Sequence, residues 1–178
     1  INTKKNSGQK YIDSVIEKGI DTIITENKID NPSINQIITK NSVEFLQTLA
    51  KYHFEHSAIN SIGITGSNGK TILKEWLYQC LSNEFVTVKS PKSFNSQIGL
   101  PLSLFQIEKK HDLGIFEVGI SKPDEMDNQE NIFHPKIGLL THIGSAHSAN
   151  FSSEEELINE KLKLFKNSEI IFYNADNL

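Results

Sequence analysis

The sequence predicts an α/β fold built on a mainly parallel sheet, and three observations carry that reading. Strand-like and helix-like stretches alternate along most of the 178 residues. An apolar strand from Ile59 to Thr65 runs straight into a glycine-rich turn that opens a helix. The hydrophobic fraction of 37% is enough for a packed core. No apolar run approaches the roughly 20 residues that a membrane-spanning helix needs.

The elements follow in order. Residues 11–18 (YIDSVIEK) read as a short helix, Gly19 to Thr25 as a strand and Ile34 to Thr39 as a second strand. Residues 42–56 form a stronger helix, with Val43, Leu46, Leu49 and Ala50 on one face. After the strand at 59–65, Gly69 to Leu81 is a helix, Phe85 to Lys89 a short strand and 97–106 a short helix. Leu113 to Ile120 is a buried strand, 123–132 is helical or irregular, and Ile137 to Ile143 is a strand. Residues 153–166 form a helix whose start carries a capping box, Ser153 followed three residues later by Glu156. Glu169 to Asn174 is the last strand. A domain boundary is expected near residues 57–60, just before the glycine-rich turn.

Composition excludes several classes. The formal net charge is -4, which argues against a broad nucleic-acid surface. The polar start INTKKNSGQK is not a signal peptide. A single cysteine, Cys80, rules out an internal disulfide framework and fits a reducing cytoplasm. Its expected place is as a small buried residue on a helix. The chain begins at Ile1, and Asn177 and Leu178 follow directly on a strand-like run, so a segment of a longer protein is expected. A monomer is expected, although no feature of the sequence fixes the oligomeric state.

The strongest chemical signal is Ile62-Gly63-Ile64-Thr65-Gly66-Ser67-Asn68-Gly69-Lys70-Thr71. Its strand–turn–helix context is the one a phosphate loop requires. Gly66 and Gly69 let the backbone turn tightly, so that successive N–H groups, from Thr65 through Thr71, point at phosphate oxygens. The helix N-terminus adds its positive end. Lys70 is placed to bridge the β- and γ-phosphates of a nucleotide, and Thr71 to offer a hydroxyl to Mg²⁺. The strict pattern has glycine where this chain has Ile64.

Two further residues stand out. Glu117 lies inside the apolar run Ile115 to Ile120, and a carboxylate there must be paired or bound to a cation. A structural ion pair and a Mg²⁺ ligand both satisfy that condition. Lys161 falls at the middle of a helical face formed by Leu157, Ile158, Leu162, Leu164 and Phe165, whereas Lys163 and Lys166 point away. A lysine so placed either snorkels to solvent or is functional. Burial lowers an amine's pKa, and a neutral amine reacts with CO₂ to give a carbamate. His142 and His147 flank a turn at the carboxyl end of a strand, where ligand and surface roles are equally open.

Taken together, ITGSNGKT (64–71) with Lys74-Glu75, SPKSFNSQIGLPLSL (90–104), FEVGIS (116–121) with Asp124-Glu125-Met126, THIGSAH (141–147) and Asn174-Ala175-Asp176-Asn177 resemble the Mur ligase family. The resemblance covers roughly residues 9–178. The set is most similar to the branch that joins D-Ala-D-Ala to UDP-MurNAc-tripeptide, with segment 90–104 arguing against the siblings, and the stretch SPKSFNSQIG (90–99) is most similar to a form fused to an alanine racemase. The resemblance implies a three-domain cytoplasmic enzyme. Residues 1–58 would be the C-terminal part of the UDP-sugar-peptide domain. Residues 59–178 would be most of a three-layer α/β/α domain that binds ATP and Mg²⁺.

By position, the resemblance puts Lys70 on the phosphates, Thr71, Glu117 and His147 on metal, and Asn95 at the nucleotide or substrate cleft. Lys161 matches a lysine that is carbamylated in many members, where it helps hold a second Mg²⁺. The family usually has asparagine at the place of His142, an acidic residue at Ala149, and Gly-Glu at Leu162-Lys163. Two other readings compete: a sibling such as a folylpolyglutamate synthase, and a nucleotide-binding module that ligates nothing.

Overall fold

The computed structural model describes residues 8–32, 34–144 and 150–177. The chain divides into two compact units, Ile1–Leu46 and Gln47–Leu178. In the first, a 3-10 turn at Gly8–Tyr11 leads into α1 (Ile12–Glu17). The strand expected from Gly19 is shorter, because Gly19 donates its N–H to Ile16 O and closes the helix instead. Strand β1 (Thr22–Thr25) pairs in parallel with β2 (Asn35–Ile38). Between them, the Gln36 amide holds both the N–H and the carbonyl of Ile29, at 2.8 and 2.7 Å. Helix α2 (Ser42–Glu55) starts here, with Asn41 Oδ1 accepting the N–H groups of Val43 and Glu44.

The second unit is built on five parallel strands: β3 (Asn60–Thr65), β4 (Thr87–Lys89), β5 (Leu113–Glu117), β6 (Ile137–Leu140) and β7 (Ile170–Tyr173). Their order is β4-β5-β3-β6-β7. β3 is therefore central, and the chain passes from one side of it to the other between β5 and β6. Ligands bind such sheets at the carboxyl ends of the strands beside that switch.

The period-2 alternation of the strands sends side chains into two separate cores. Ile62, Ile64, Leu113 and Ile115 face α3 (Lys70–Leu81), where Leu73, Leu77, Tyr78 and Leu81 cover them. On the opposite face, Phe116 and Leu140 meet Ala50 and Phe54 of α2. Leu100 of α4 (Gly99–Leu104), Met126 of α5 (Glu125–Ile132) and Leu157 of α6 (Glu154–Leu162) complete that layer. The result is the three-layer α/β/α arrangement. Small residues on this face make room for large ones: a Cβ on Gly63 would sit 2.6 Å from Pro135, and one on Gly138 2.5 Å from the Phe165 ring. Each aromatic side chain buried in this way contributes about 1.5–3 kcal/mol.

Several expectations are corrected. Leu49 is 43% exposed, because the buried stripe of α2 runs through Ala50 and Phe54, about 100° around the helix. Cys80 is on α3 as expected, but it is exposed, on the side away from the sheet that also carries Ile72 and Trp76. β5 and β6 are shorter than the apolar runs that announced them. Gly119 N–H leaves the ladder for Asn95 O, and after Thr141, whose N–H still bonds Thr65 O, the His142 carbonyl turns to the Ser67 N–H of the glycine-rich turn. Phe85 lies before β4, its N–H still bonded to Leu81 O at the end of α3. Ser153 caps α6 through Glu156 N–H at 3.1 Å, but the Glu156 carboxylate accepts from Ser152 rather than Ser153, so the box is offset by one residue.

Candidate active site

The glycine-rich turn sits at the carboxyl end of β3, between β5 and β6. Two backbone positions make it. Gly66 has φ +144°, and a Cβ there would lie 1.9 Å from Thr141 Oγ1. Gly69 has φ +84° and stands as the residue that precedes α3, with no side chain capping the helix. The space where its Cβ would point is open. The first N–H groups of α3 have no intrahelical acceptor and no side-chain cap.

The loop departs from expectation in one respect. The N–H groups of Ser67 and Asn68 donate to His142 O, at 2.9 and 3.5 Å, and Ser67 Oγ donates to Gly144 O at 3.0 Å. Two of the expected anion donors are therefore occupied by the 141–144 turn. Asn68 itself is exposed, and Thr65, fully buried at the strand end, has a hydroxyl with no partner among the described residues. His142 contributes its carbonyl and presents an exposed ring. His147 lies outside the described residues.

Two lysines converge on one carbonyl. Lys70 Nζ is 2.7 Å from Gly66 O and 3.4 Å from Ser67 O, and Lys161 Nζ is 3.2 Å from Gly66 O. Lys161 is only 1% exposed, which removes the snorkelling alternative. Burial, and then the charge of Lys70, pull its pKa down to about 8. Burial also lowers Lys70, while Glu117 opposes the shift. Lys163 and Lys166 do point away from this site, bonded to Asp127 and Glu130.

Opposite the lysines, Glu117 is fully buried at the end of β5. Thr71 Oγ1 donates to its Oε2 at 3.1 Å, and Asn95 Nδ2 approaches the same oxygen at 3.4 Å. Lys74 Nζ lies 2.9 Å from Oε1. That approach is an ion pair by distance but is not aligned as a hydrogen bond, so Oε1 keeps an unfilled acceptor position. Both of the open readings of Glu117 thus have a physical basis. The carboxylate has a counter-ion at Oε1, and its Oε2, beside the Thr71 hydroxyl, is a hard oxygen of the type that Mg²⁺ prefers. Among the described residues no three His, Cys, Asp or Glu side chains converge on one point.

Lys70, Lys161 and Asn95 share the wall of one cavity of about 300 Å³, with Gln97, Gly119 and Glu125. The sequence reading missed the role of Lys74, although its position held a signal: it lies one helical turn after Lys70, on the same side of α3. It also missed Gln129, a buried side chain whose Nε2 lies 3.4 Å from Asn95 O and 3.3 Å from Gly119 O.

Residues 64–178 match the Mur ligase middle domain. The chain belongs to the Mur ligase family. Among curated relatives, the UDP-N-acetylmuramoyl-tripeptide–D-alanyl-D-alanine ligase of Borreliella burgdorferi is 40% identical over 149 residues, covering 83% of this chain and 32% of the relative. The enzyme of the same name from Rickettsia prowazekii is 34% identical, covering 96% of this chain and 39% of the relative. A solved structure of the MurF ligase of Thermotoga maritima in complex with ADP superposes with a TM-score of 0.86 at 28% identity, over all of this chain and 43% of that one. The chain therefore spans only about 28–39% of the length of the curated relatives it matches.

The lysine pair gives this Mur ligase domain a pH signature. Lys161 has a folded-state pKa near 8 against 10.5 when unfolded, so the unfolded chain binds more protons between those values. Stability is expected to rise with pH from about 8 to 10.5, and the contribution is lost as pH falls through 8. The rise is at most about 3 kcal/mol. Urea unfolding in CO₂-free buffer measures it, and Lys161→Met should flatten the difference. An equal slope in parent and variant would show that other groups cause it.

Proposed function

We propose that this chain is the nucleotide-binding part of an ATP-dependent acid–amine ligase of peptidoglycan precursor synthesis. Its substrates are UDP-MurNAc-tripeptide and D-Ala-D-Ala. The observation that carries the reading is the convergence of Lys70 and Lys161 on Gly66 O at one wall of a cavity, beside the Thr71–Glu117–Asn95 cluster. Two ammonium groups at a helix N-terminus favour a polyphosphate and a carboxylate side by side.

The chemistry follows from charge. A carboxylate oxygen of the peptide attacks the γ-phosphorus, the bond to ADP breaks, and an acyl phosphate forms. The amine then attacks the acyl carbon, a proton leaves the nitrogen, and phosphate departs. Lys70 neutralises oxygens that gain charge in the first step, and the open N–H groups of α3 orient them, so the protein acts by positioning and electrostatics. Magnesium bound at Thr71, Glu117 and His147 would supply further charge neutralisation on the phosphates. Lys161, with its lowered pKa, has the neutral fraction needed to form a carbamate by adding to CO₂ with loss of a proton.

Residues 1–58 are then the C-terminal part of a UDP-sugar-peptide domain and 59–178 most of the ATP-binding domain. A monomeric cytoplasmic enzyme suits UDP-linked intermediates. Segment 90–99 supports the racemase-fused form, which the mass of the full-length protein would decide.

The test is a ligation assay on the full-length protein with ATP, Mg²⁺, UDP-MurNAc-tripeptide and D-Ala-D-Ala. The expected products are ADP, phosphate and the UDP-MurNAc-pentapeptide. Glutamate addition to a folate, with no pentapeptide, would move the assignment to the sibling enzyme. Nucleotide binding with no ligation of any amine would refute the ligase reading.

A further inference from the structure

A lysine with no solvent exposure needs a reason. Lys74 is 0% exposed, and its ammonium reaches four acceptors. These are Glu117 Oε1 at 2.9 Å, Glu75 Oε1 at 3.2 Å, Ser90 O at 2.9 Å, and Lys92 O. An apolar side chain of similar size would fill the space without the desolvation cost of a charge. The ammonium does something that packing alone cannot: it holds two carbonyls and a carboxylate around one point.

The two carbonyls belong to the segment that follows β4. Lys92 has φ +47°, a left-handed conformation that a β-carbon disfavours, and its carbonyl is turned inward to Lys74. Ser90 Oγ accepts the Glu117 N–H at 3.1 Å. Further on, Asn95 O accepts Gly119 N–H at 2.7 Å, and Asn95 Nδ2 reaches Glu117 Oε2. The fit is close. A Cβ on Gly119 would meet Asn95 Oδ1 at 3.0 Å, and one on Gly99 would meet the Phe94 backbone at 2.8 Å. Asn95, Ser96, Gln97 and Ile98 then form one wall of the cavity that Lys70 and Lys161 share.

We propose that Lys74 is a positioning residue that ties segment 90–97 and the Glu117 carboxylate to the phosphate-loop helix, so that the cavity wall and the phosphate loop keep one geometry. Lys74 touches neither the cavity nor the open face of the loop; it acts through Glu117 and the two carbonyls. Its kinetic consequence rests on the ligase reading, whereas its structural consequence does not.

The test uses the full-length protein with Lys74→Met and with Lys74→Met/Glu117→Gln. The double variant removes both buried charges, so it stays informative if the single variant fails to fold. Amide hydrogen exchange is followed at residues 90–99, with α3 as internal control. Exchange at 90–99 is expected to quicken about tenfold or more in the double variant, while α3 keeps its protection. Parent-like exchange there would mean that Lys74 only balances the Glu117 charge, and would overturn the proposal. In steady-state ligation, Lys74→Met is expected to raise KM for the carboxylate substrate on the order of tenfold, with a smaller change in KM for ATP. A fall in kcat with both KM values unchanged would report lost active protein and count against it. If the parent itself ligates nothing, the ligase reading fails, and the exchange experiment still decides the role of Lys74.

Discussion

Replacing Lys70 by alanine is expected to abolish useful nucleotide binding and to cut ligation by about 10²–10³-fold, while leaving the fold intact. Among the described residues the amine hydrogen-bonds only the loop carbonyls of Gly66 and Ser67, and it carries no part of either core. Its removal takes away one of the two ammonium groups on the cavity wall. Lys161 remains, but it is almost wholly buried and reaches only Gly66 O of the loop, from α6. The measurement is calorimetric titration of a non-hydrolysable ATP analogue with Mg²⁺ into parent and Lys70→Ala, with a thermal melt as control. Equal affinities in two equally stable proteins would show that the turn at 66–71 is not the phosphate site.

Glu117 should separate stability from function. Glu117→Ala leaves the Lys74 ammonium buried, with Glu75 and two carbonyls as its remaining partners. Breaking a buried pair in this way costs about 3–5 kcal/mol, or roughly 10 °C in Tm for a domain of this size. Glu117→Gln keeps the volume and an acceptor oxygen, so its melting temperature should fall by less. Both variants lose the anionic donor beside Thr71, and both are expected to lose on the order of 100-fold in kcat. Thermal melts and ligation rates of the two variants decide the matter. A glutamine variant with parent-like turnover would leave Glu117 only its structural pairing with Lys74.

Much of this was legible in the residues. Glycines at 66 and 69 between an apolar strand and a helix imply a tight anion-facing turn, because few other residues adopt those backbone angles. Glu117 inside an apolar run demands a partner, and Lys161 on an apolar helical face demands a use, whatever the fold around them. Local periodicity misplaces element ends and faces. Leu49 looked buried because a helical wheel has no knowledge of which direction the sheet lies. Cys80 looked buried because its chemistry is apolar, yet α3 presents Leu73 and Leu77 to the sheet and leaves Cys80 outside. The strands end short of the apolar runs because more distant groups take the next backbone bonds: Gly119 N–H goes to Asn95 O, and the His142 carbonyl to Ser67 N–H in the glycine-rich turn.

The sequence by itself determined the α/β class, the glycine-rich strand–turn–helix and the family, because each depends on local spacing: alternation along strands, a turn that glycine favours, and motifs within a few residues of one another. The tertiary structure decided which charges meet. Lys161 and Gly66 are 95 positions apart, and Thr71 and Glu117 are 46. Lys74 gathers carbonyls 16 and 18 positions away. Such meetings depend on the strand order β4-β5-β3-β6-β7, which brings the ends of β3 and β5 side by side and folds α6 back over the loop. No periodicity along the chain encodes that order, because long-range pairing is settled by how whole faces pack against one another.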